Sequence, residues 1–170
     1  MPITATTSTT SFIITLNQIV KLMKDFSTDH PQLNDFGFGQ TSEIGTSRQM
    51  DMAYMWATFE TDSLFSISPN KSIIPELNFT IIFADKVNNQ VNFSNSVGED
   101  SNNGLEVLSD MYQVAQDFIM TAVINWGQYG ISIPSDVSVF PVQDETDDAV
   151  NGFGIRVTFR LKYLNCEIPI

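Results

Sequence analysis

Basic residues are scarce in this sequence, with 8 Lys and Arg against 20 Asp and Glu and a formal net charge of -12. Proteins that grip nucleic acid do so by neutralising phosphates with Lys and Arg, so specific nucleic-acid binding is not expected. The same imbalance argues against docking on an anionic membrane, and no apolar run approaches the roughly 18 residues that a spanning helix needs. A soluble chain is expected. The opening Met-Pro-Ile-Thr-Ala-Thr-Thr has neither the charged start nor the apolar stretch of a secretory signal, so export by that route is not expected. The single cysteine, Cys166, excludes an intramolecular disulfide and a cysteine metal site, and fits a reducing cytoplasm. The single histidine, His30, precedes Pro31 in a polar turn and has no cysteine or second histidine with which to form a nucleophile–base pair. Nucleotide loops are missing too. Gly37-Phe38-Gly39-Gln40-Thr41-Ser42 begins like a dinucleotide fingerprint but ends in Ser, and no Gly-Lys-Ser or Gly-Lys-Thr occurs.

What the sequence does have is material for a core: 42% of its 170 residues are hydrophobic and 11% aromatic, which suits one domain. The Thr- and Ser-rich residues 1–11 offer little to bury and read as a flexible arm ahead of a domain spanning 12–170. From an N-cap at Ser11, Phe12, Leu16, Ile19, Val20 and Met23 recur at helical spacing, and the helix is expected to end near Phe26, before Pro31. Phe36 to Phe93 reads as β-structure. Phe36-Gly37-Phe38-Gly39 suits a short edge strand. Met50 to Thr61 is apolar on both alternating faces, so it is either covered on both sides or keeps the face around Trp56 for a partner. Ser63 to Ser68 is expected to pair across Pro69-Asn70 with the next strand, in which Leu77, Phe79, Ile81 and Phe83 alternate with polar residues.

A second helix, capped by Asn103 with Glu106, carries the stripe Leu105, Leu108, Met111, Tyr112, Ala115, Phe118, Ile119, Ala122 and Trp126, and exits at Gly127 and Gly130. Either Val137, Val139 and Pro141 or Ser138, Phe140 and Val142 form the inner side of a short strand. In the clearest strand, Phe153, Ile155, Val157, Phe159, Leu161 and Tyr163 alternate with Gly154, Arg156, Thr158, Arg160 and Lys162. Helix, strands, helix, strands predicts an α+β fold: a mostly antiparallel sheet with two helices packed on it, in a single domain.

Two charged features stand out. Asp144-Glu145-Thr146-Asp147-Asp148 places four carboxylates in five residues between two strands. It lacks the alternate spacing, glycine and distal glutamate of a calcium loop, and reads as a solvated hairpin loop or a protein contact rather than a metal site. A metal-dependent hydrolase using Asp147 or Asp148 would normally draw ligands from several segments. Arg156, Arg160 and Lys162 share one face of the final strand. They are either edge-protecting charge or a stripe that meets the acidic loop of a neighbouring copy, which makes Asp144, Glu145, Asp147, Asp148, Arg156, Arg160 and Lys162 the candidate interface residues.

The long helix Leu105 to Trp126, then Phe140-Pro141-Val142, the acidic loop, Asn151-Gly152-Phe153 and the alternating strand to Leu164, resembles the tail-terminator (tail-completion) proteins of tailed bacteriophages and the related ring proteins at their head–tail junction. The resemblance covers most of residues 12–164 and lies in hydrophobic pattern and turns. It implies a non-enzymatic α+β subunit without cofactor, closing into a homo-oligomeric ring that passes DNA and contacts other connector, portal or tail proteins. Its place would be the virion, after assembly in the bacterial cytoplasm. A strongly acidic subunit agrees with a lumen that repels phosphate. The β-region from Asp35 to Phe93 is longer and more aromatic than simple members need, so an added hairpin or a short-tailed junction ring is expected. The alternative is an intracellular adaptor or binding module, monomeric or dimeric, whose contact is the strand around Trp56.

Overall fold

Helix α1, Leu16–Asp29, begins where the sequence supplies a capping box. The Thr15 hydroxyl accepts from the Gln18 N–H at 3.3 Å, and the Gln18 side-chain oxygen accepts from the Thr15 N–H at 2.7 Å. Two otherwise unpaired backbone donors are satisfied reciprocally, which explains a cap at Thr15, four residues after the expected cap, Ser11. The end is also later than expected: the helix passes Phe26 and stops at Asp29, with His30 extended (φ -81°, ψ 123°) as the residue before a proline must be. A computed structural model describes residues 14–44, 50–67, 73–87, 104–134, 136–144 and 150–162. The expected arm, Asn103, the Asn70 turn, Tyr163 and Cys166 lie outside the described residues.

The strands are β1 (Asp35–Phe38), β2 (Tyr54–Phe59), β3 (Leu64–Ile67), β4 (Ile73–Lys86), β5 (Ile131–Ser132), β6 (Ser138–Asp144) and β7 (Val150–Leu161), with the second helix, α2, at Gly104–Asn125. They form one seven-stranded sheet in the order β1-β2-β4-β7-β5, with β3 also on β4 and β6 also on β7. Among the described residues only β1 with β2 is parallel; the other pairs are antiparallel. The α+β architecture expected from the order of elements is the one found.

At its centre the two long strands pair from Glu76↔Arg160 to Lys86↔Val150. Along the outer edge of β4, β2 and β3 lie end to end, joined by residues 60–63. Along the outer edge of β7, β6 and β5 do the same. The β3–β4 hairpin starts where β7 stops, because β4 continues to Ile73 beyond its last partner on β7.

Alternation divides the sheet into two faces. Phe79, Ile81 and Phe83 of β4, Met55 and Ala57 of β2, and Ile155, Val157 and Phe159 of β7 point to the helices. There they meet Ile19 and Met23 of α1 and Val107, Met111, Val114, Phe118 and Ala122 of α2. Phe118 is the hinge of this layer, with ring contacts at 5.2 Å to Phe26, 5.7 Å to Phe83 and 5.5 Å to Trp126. The α2 stripe expected from sequence holds at Met111, Ala115, Phe118, Ala122 and Trp126, but Leu105 is 75% exposed, and Val107 and Val114 join the inner line. Tyr112 sits at its margin and packs edge-on against Phe153 at 5.2 Å.

The opposite face carries a smaller apolar cluster of Met50, Tyr54, Trp56, Ile82, Ala84 and Val150, with Ile44, Met52 and Val142 against it. Trp56 is only 2% exposed. Of the two sequence readings for this strand, coverage on both sides is the correct one, and the partner face around Trp56 is overturned. Gly37 makes that burial possible, since a Cβ there would stand 2.1 Å from the Trp56 ring. The indole therefore lies directly on the backbone of β1. Of the two phases left open for β6, Phe140 and Val142 face this same side, while Val139 is exposed.

Candidate subunit interface

The even-numbered residues of β7 past the small cluster point away from the helices, and with them the charged stripe. Arg156 is exposed, its guanidinium carbon 5.5 Å from the centroid of the Phe140 ring, a cation–π arrangement. Phe140 lies flat because residue 154 is glycine; a Cβ there would be 2.2 Å from the ring. Arg160 is engaged inside its own chain. Its Nε and Nη2 donate to one Glu76 oxygen at 3.0 and 2.9 Å, and the Ser66 hydroxyl donates to the same oxygen at 3.0 Å. Lys162 is exposed just past the end of β7, and its backbone N–H donates to the Gly130 carbonyl at 2.8 Å.

Asp144 ends β6, paired through its backbone with Val150. Glu145, Asp147 and Asp148 lie outside the described residues. Ten residues of strand separate Val150 from Arg160, a span of about 33 Å. The stem of the acidic loop and the Arg160 end of the stripe thus stand at opposite ends of the sheet.

The carboxylates that do lie beside the stripe were not singled out in the sequence. Glu60, Asp62 and Asp136, with Asn78, Ser138, Arg156 and Thr158, line a groove of about 330 Å³ on the helix-free face. Asn78 organises it: its side-chain oxygen accepts from the Thr158 hydroxyl at 2.7 Å, and its amide donates to Asp62 Oδ1 at 3.1 Å. Its backbone N–H donates to the Ser63 hydroxyl at 3.1 Å, which itself donates to the Glu60 carbonyl at 3.0 Å. These bonds fix the jog between β2 and β3 and hence the position of the hairpin. A signal was present in Asn78 and Thr80, which interrupt an apolar strand on one side only.

Two apolar surfaces complete the picture. On β3, Leu64, Phe65 and Ile67 belong to neither core; Phe65 is 74% and Ile67 75% exposed. On α2, Met120, Val123 and Ile124 form a ridge at i, i+3, i+4 on the side away from the sheet, with Ile124 66% exposed. The sequence signal for the ridge was that these residues fall off the buried stripe.

His30 joins the two helices rather than facing a nucleophile. Its Nε2 stands 3.5 Å from Asp117 Oδ2, its Nδ1 accepts from the Gln32 N–H at 3.3 Å, and its ring is 5.2 Å from that of Phe26. Among the described residues no group of three or more His, Cys, Asp and Glu is placed to hold a metal. Among the same residues, no helix is long and apolar enough to cross a membrane. In comparisons with known proteins, no family model matches the chain and no curated protein matches its sequence.

Proposed function

We propose that the chain is a structural subunit of a tailed phage that assembles with copies of itself into a ring at the tail end or the head–tail junction, leaving a passage for DNA. The observation that carries the reading is the pair of exposed apolar surfaces: an uncovered hairpin strand and an uncovered helix ridge on one rigid two-layer subunit. A short apolar edge strand left open is a template for pairing, and monomeric proteins usually blunt such edges with charge or proline. The hydrophobic and turn pattern of the second half, which resembles tail-terminator and junction-ring proteins, supplies the kind of assembly. The net charge of -12 fits a lumen that lets DNA pass without gripping it. On this reading the β3–β4 hairpin is the addition that lengthens the β-region.

The adaptor alternative rested on an exposed face at Trp56, and that residue is buried. The test is the particle itself. The purified 19.0 kDa chain should yield closed rings in negative-stain images and a multiple of the monomer mass in solution. Monomers at all concentrations and salt levels, with no ring seen on a phage tail or connector, would sink the reading.

A further inference from the structure

The two helices end side by side. Between the last turns of α1 and α2 and the 3₁₀ turn Trp126–Tyr129 lies a cavity of about 420 Å³, within the roughly 300–1,000 Å³ range of ligand sites. Phe26, Pro31, Trp126 and Tyr129 wall it, and Asp25 and Asp29 line it too. We infer that this cavity docks an arginine side chain presented by a partner protein other than a second copy of this chain. Such docking does not require the ring.

Charge sets the sign of the occupant. A helix carries partial negative charge at its C-terminus, which Lys, Arg or His in the last turn commonly offsets. Neither α1 nor α2 has a basic residue in its last turn. Both negative ends therefore meet at the cavity together with two carboxylates, and among the described residues no Lys or Arg lines it. Asp25 is paired with Lys21 one turn back, whereas Asp29 has no ion pair among the described residues. His30 also lines the cavity, but its ring nitrogens are turned to Asp117 and to the Gln32 N–H, so it contributes a wall and not a charge partner.

The aromatic walls choose among cations. A planar guanidinium stacks on ring faces while its five N–H donors reach several acceptors at once, and the side-chain oxygens of Asn125 and Gln128 add two acceptors to the carboxylates. An ammonium is a compact, strongly hydrated point charge that uses such walls less well. The chain's own arginines are poor occupants. Arg160 is held by Glu76, and Arg156 lies over Phe140 in a groove that Glu60, Asp62 and Asp136 share; Arg48 lies outside the described residues. The arginine therefore belongs to another protein.

The test titrates the full chain with N-acetyl-arginine amide and, at matched ionic strength, N-acetyl-lysine amide. Emission of Trp126 is the readout, with Trp56, buried on the opposite face of the sheet, as a constant background. The arginine amide should give a saturable change, and the lysine amide should bind at least about threefold more weakly. Asp29→Asn and Tyr129→Ala, both at exposed positions, should each weaken arginine binding about threefold or more, the scale of one exposed ion pair or one cation–π contact. Asp62→Asn, which removes a carboxylate from the groove on the helix-free face, should leave it unchanged. A change that never saturates, equal binding of the two amides, or equal losses in Asp29→Asn and Asp62→Asn overturns the assignment. So does an Asp29→Asn chain that keeps arginine binding but loses self-association, since that gives the cavity to a second copy.

Discussion

Arg160 and Glu76 hold each other across the central strand pair, with two guanidinium nitrogens at 2.9 and 3.0 Å from a single carboxylate oxygen. Arg160 is 45% exposed and Glu76 only 18%, so the burial falls mainly on the acid. Arg160→Glu should therefore act first on the fold, by setting two carboxylates against each other at a half-buried position. A loss of about 1–2 kcal/mol is expected, held down by solvent at the arginine, and the exchange Arg160→Glu with Glu76→Arg should recover part of it. Urea unfolding of the two proteins measures both terms; a loss that the exchange leaves unchanged would show that the pair adds nothing to stability. Any effect of Arg160→Glu on assembly has to be read after this correction, which makes Arg156 the better probe of the stripe.

Gly37 and Trp56 define a second test. Because a Cβ at 37 would stand 2.1 Å from the indole, Gly37→Ala must either push the ring outward or open β1 from β2. Overpacking of this kind costs typically about 1–3 kcal/mol. The fluorescence of Trp56 should shift to longer wavelength as the ring meets water, with Trp126 as a constant background. Unchanged emission and unchanged stability would contradict the close packing of the ring on β1.

The capping box gives a third. Thr15→Ala removes the hydroxyl that accepts from Gln18 and should cost about 1 kcal/mol, with fraying confined to the first turn of α1. Thr15→Ser should restore most of it. Hydrogen exchange at the backbone amides of Asn17 to Ile19 reports the fraying directly; equal protection in the alanine variant would place the start of the helix elsewhere.

How far the sequence revealed the molecule depends on the range of the forces involved. The strands β4 and β7 were legible because period-two alternation of Leu77 to Phe83 and of Phe153 to Leu161 is a local signal. The helix-free groove was not, since Asp62, Asn78 and Thr158 come together only through register between strands distant in sequence. Trp56 was legible as two-sided but not as buried, because its cover depends on glycines at 37 and 39 lying under the ring. The error in α1 was one of competition: Ser11 and Thr15 both suit a cap, and only Thr15 has a glutamine three residues on. In α2, the apolar residues Leu105, Met120, Val123 and Ile124 outnumber what one face can bury. The helical-spacing stripe takes in Leu105 but not Met120, Val123 or Ile124, so it finds the buried line from Met111 to Trp126 and errs only at its first turn, where Val107 is buried in place of Leu105.

The salt dependence of assembly separates long-range repulsion from local contact. Every copy added to a ring brings a formal charge of -12, so closure works against a field that solvent ions screen. At about 0.01 M ionic strength the Debye length is roughly 30 Å, comparable to the span of the sheet, and neighbouring subunits feel each other's whole charge. Near 0.15 M it is about 8 Å, and mainly the surfaces in contact matter. The apolar parts of the hairpin and the ridge do not weaken with screening, so moderate salt should favour assembly. If instead contacts between the stripe and a neighbour's acidic loop dominated, salt would weaken the ring monotonically. Light scattering after size exclusion at low and moderate salt distinguishes the two. Replacing Asp144, Glu145, Asp147 and Asp148 with Asn sharpens the comparison, because it removes four negative charges from each copy. Under apolar closure the neutralised chain should assemble already at low salt. Under stripe-to-loop pairing it should fail to assemble at any salt, and that result would move the interface from the hairpin and ridge to the charged residues of β7.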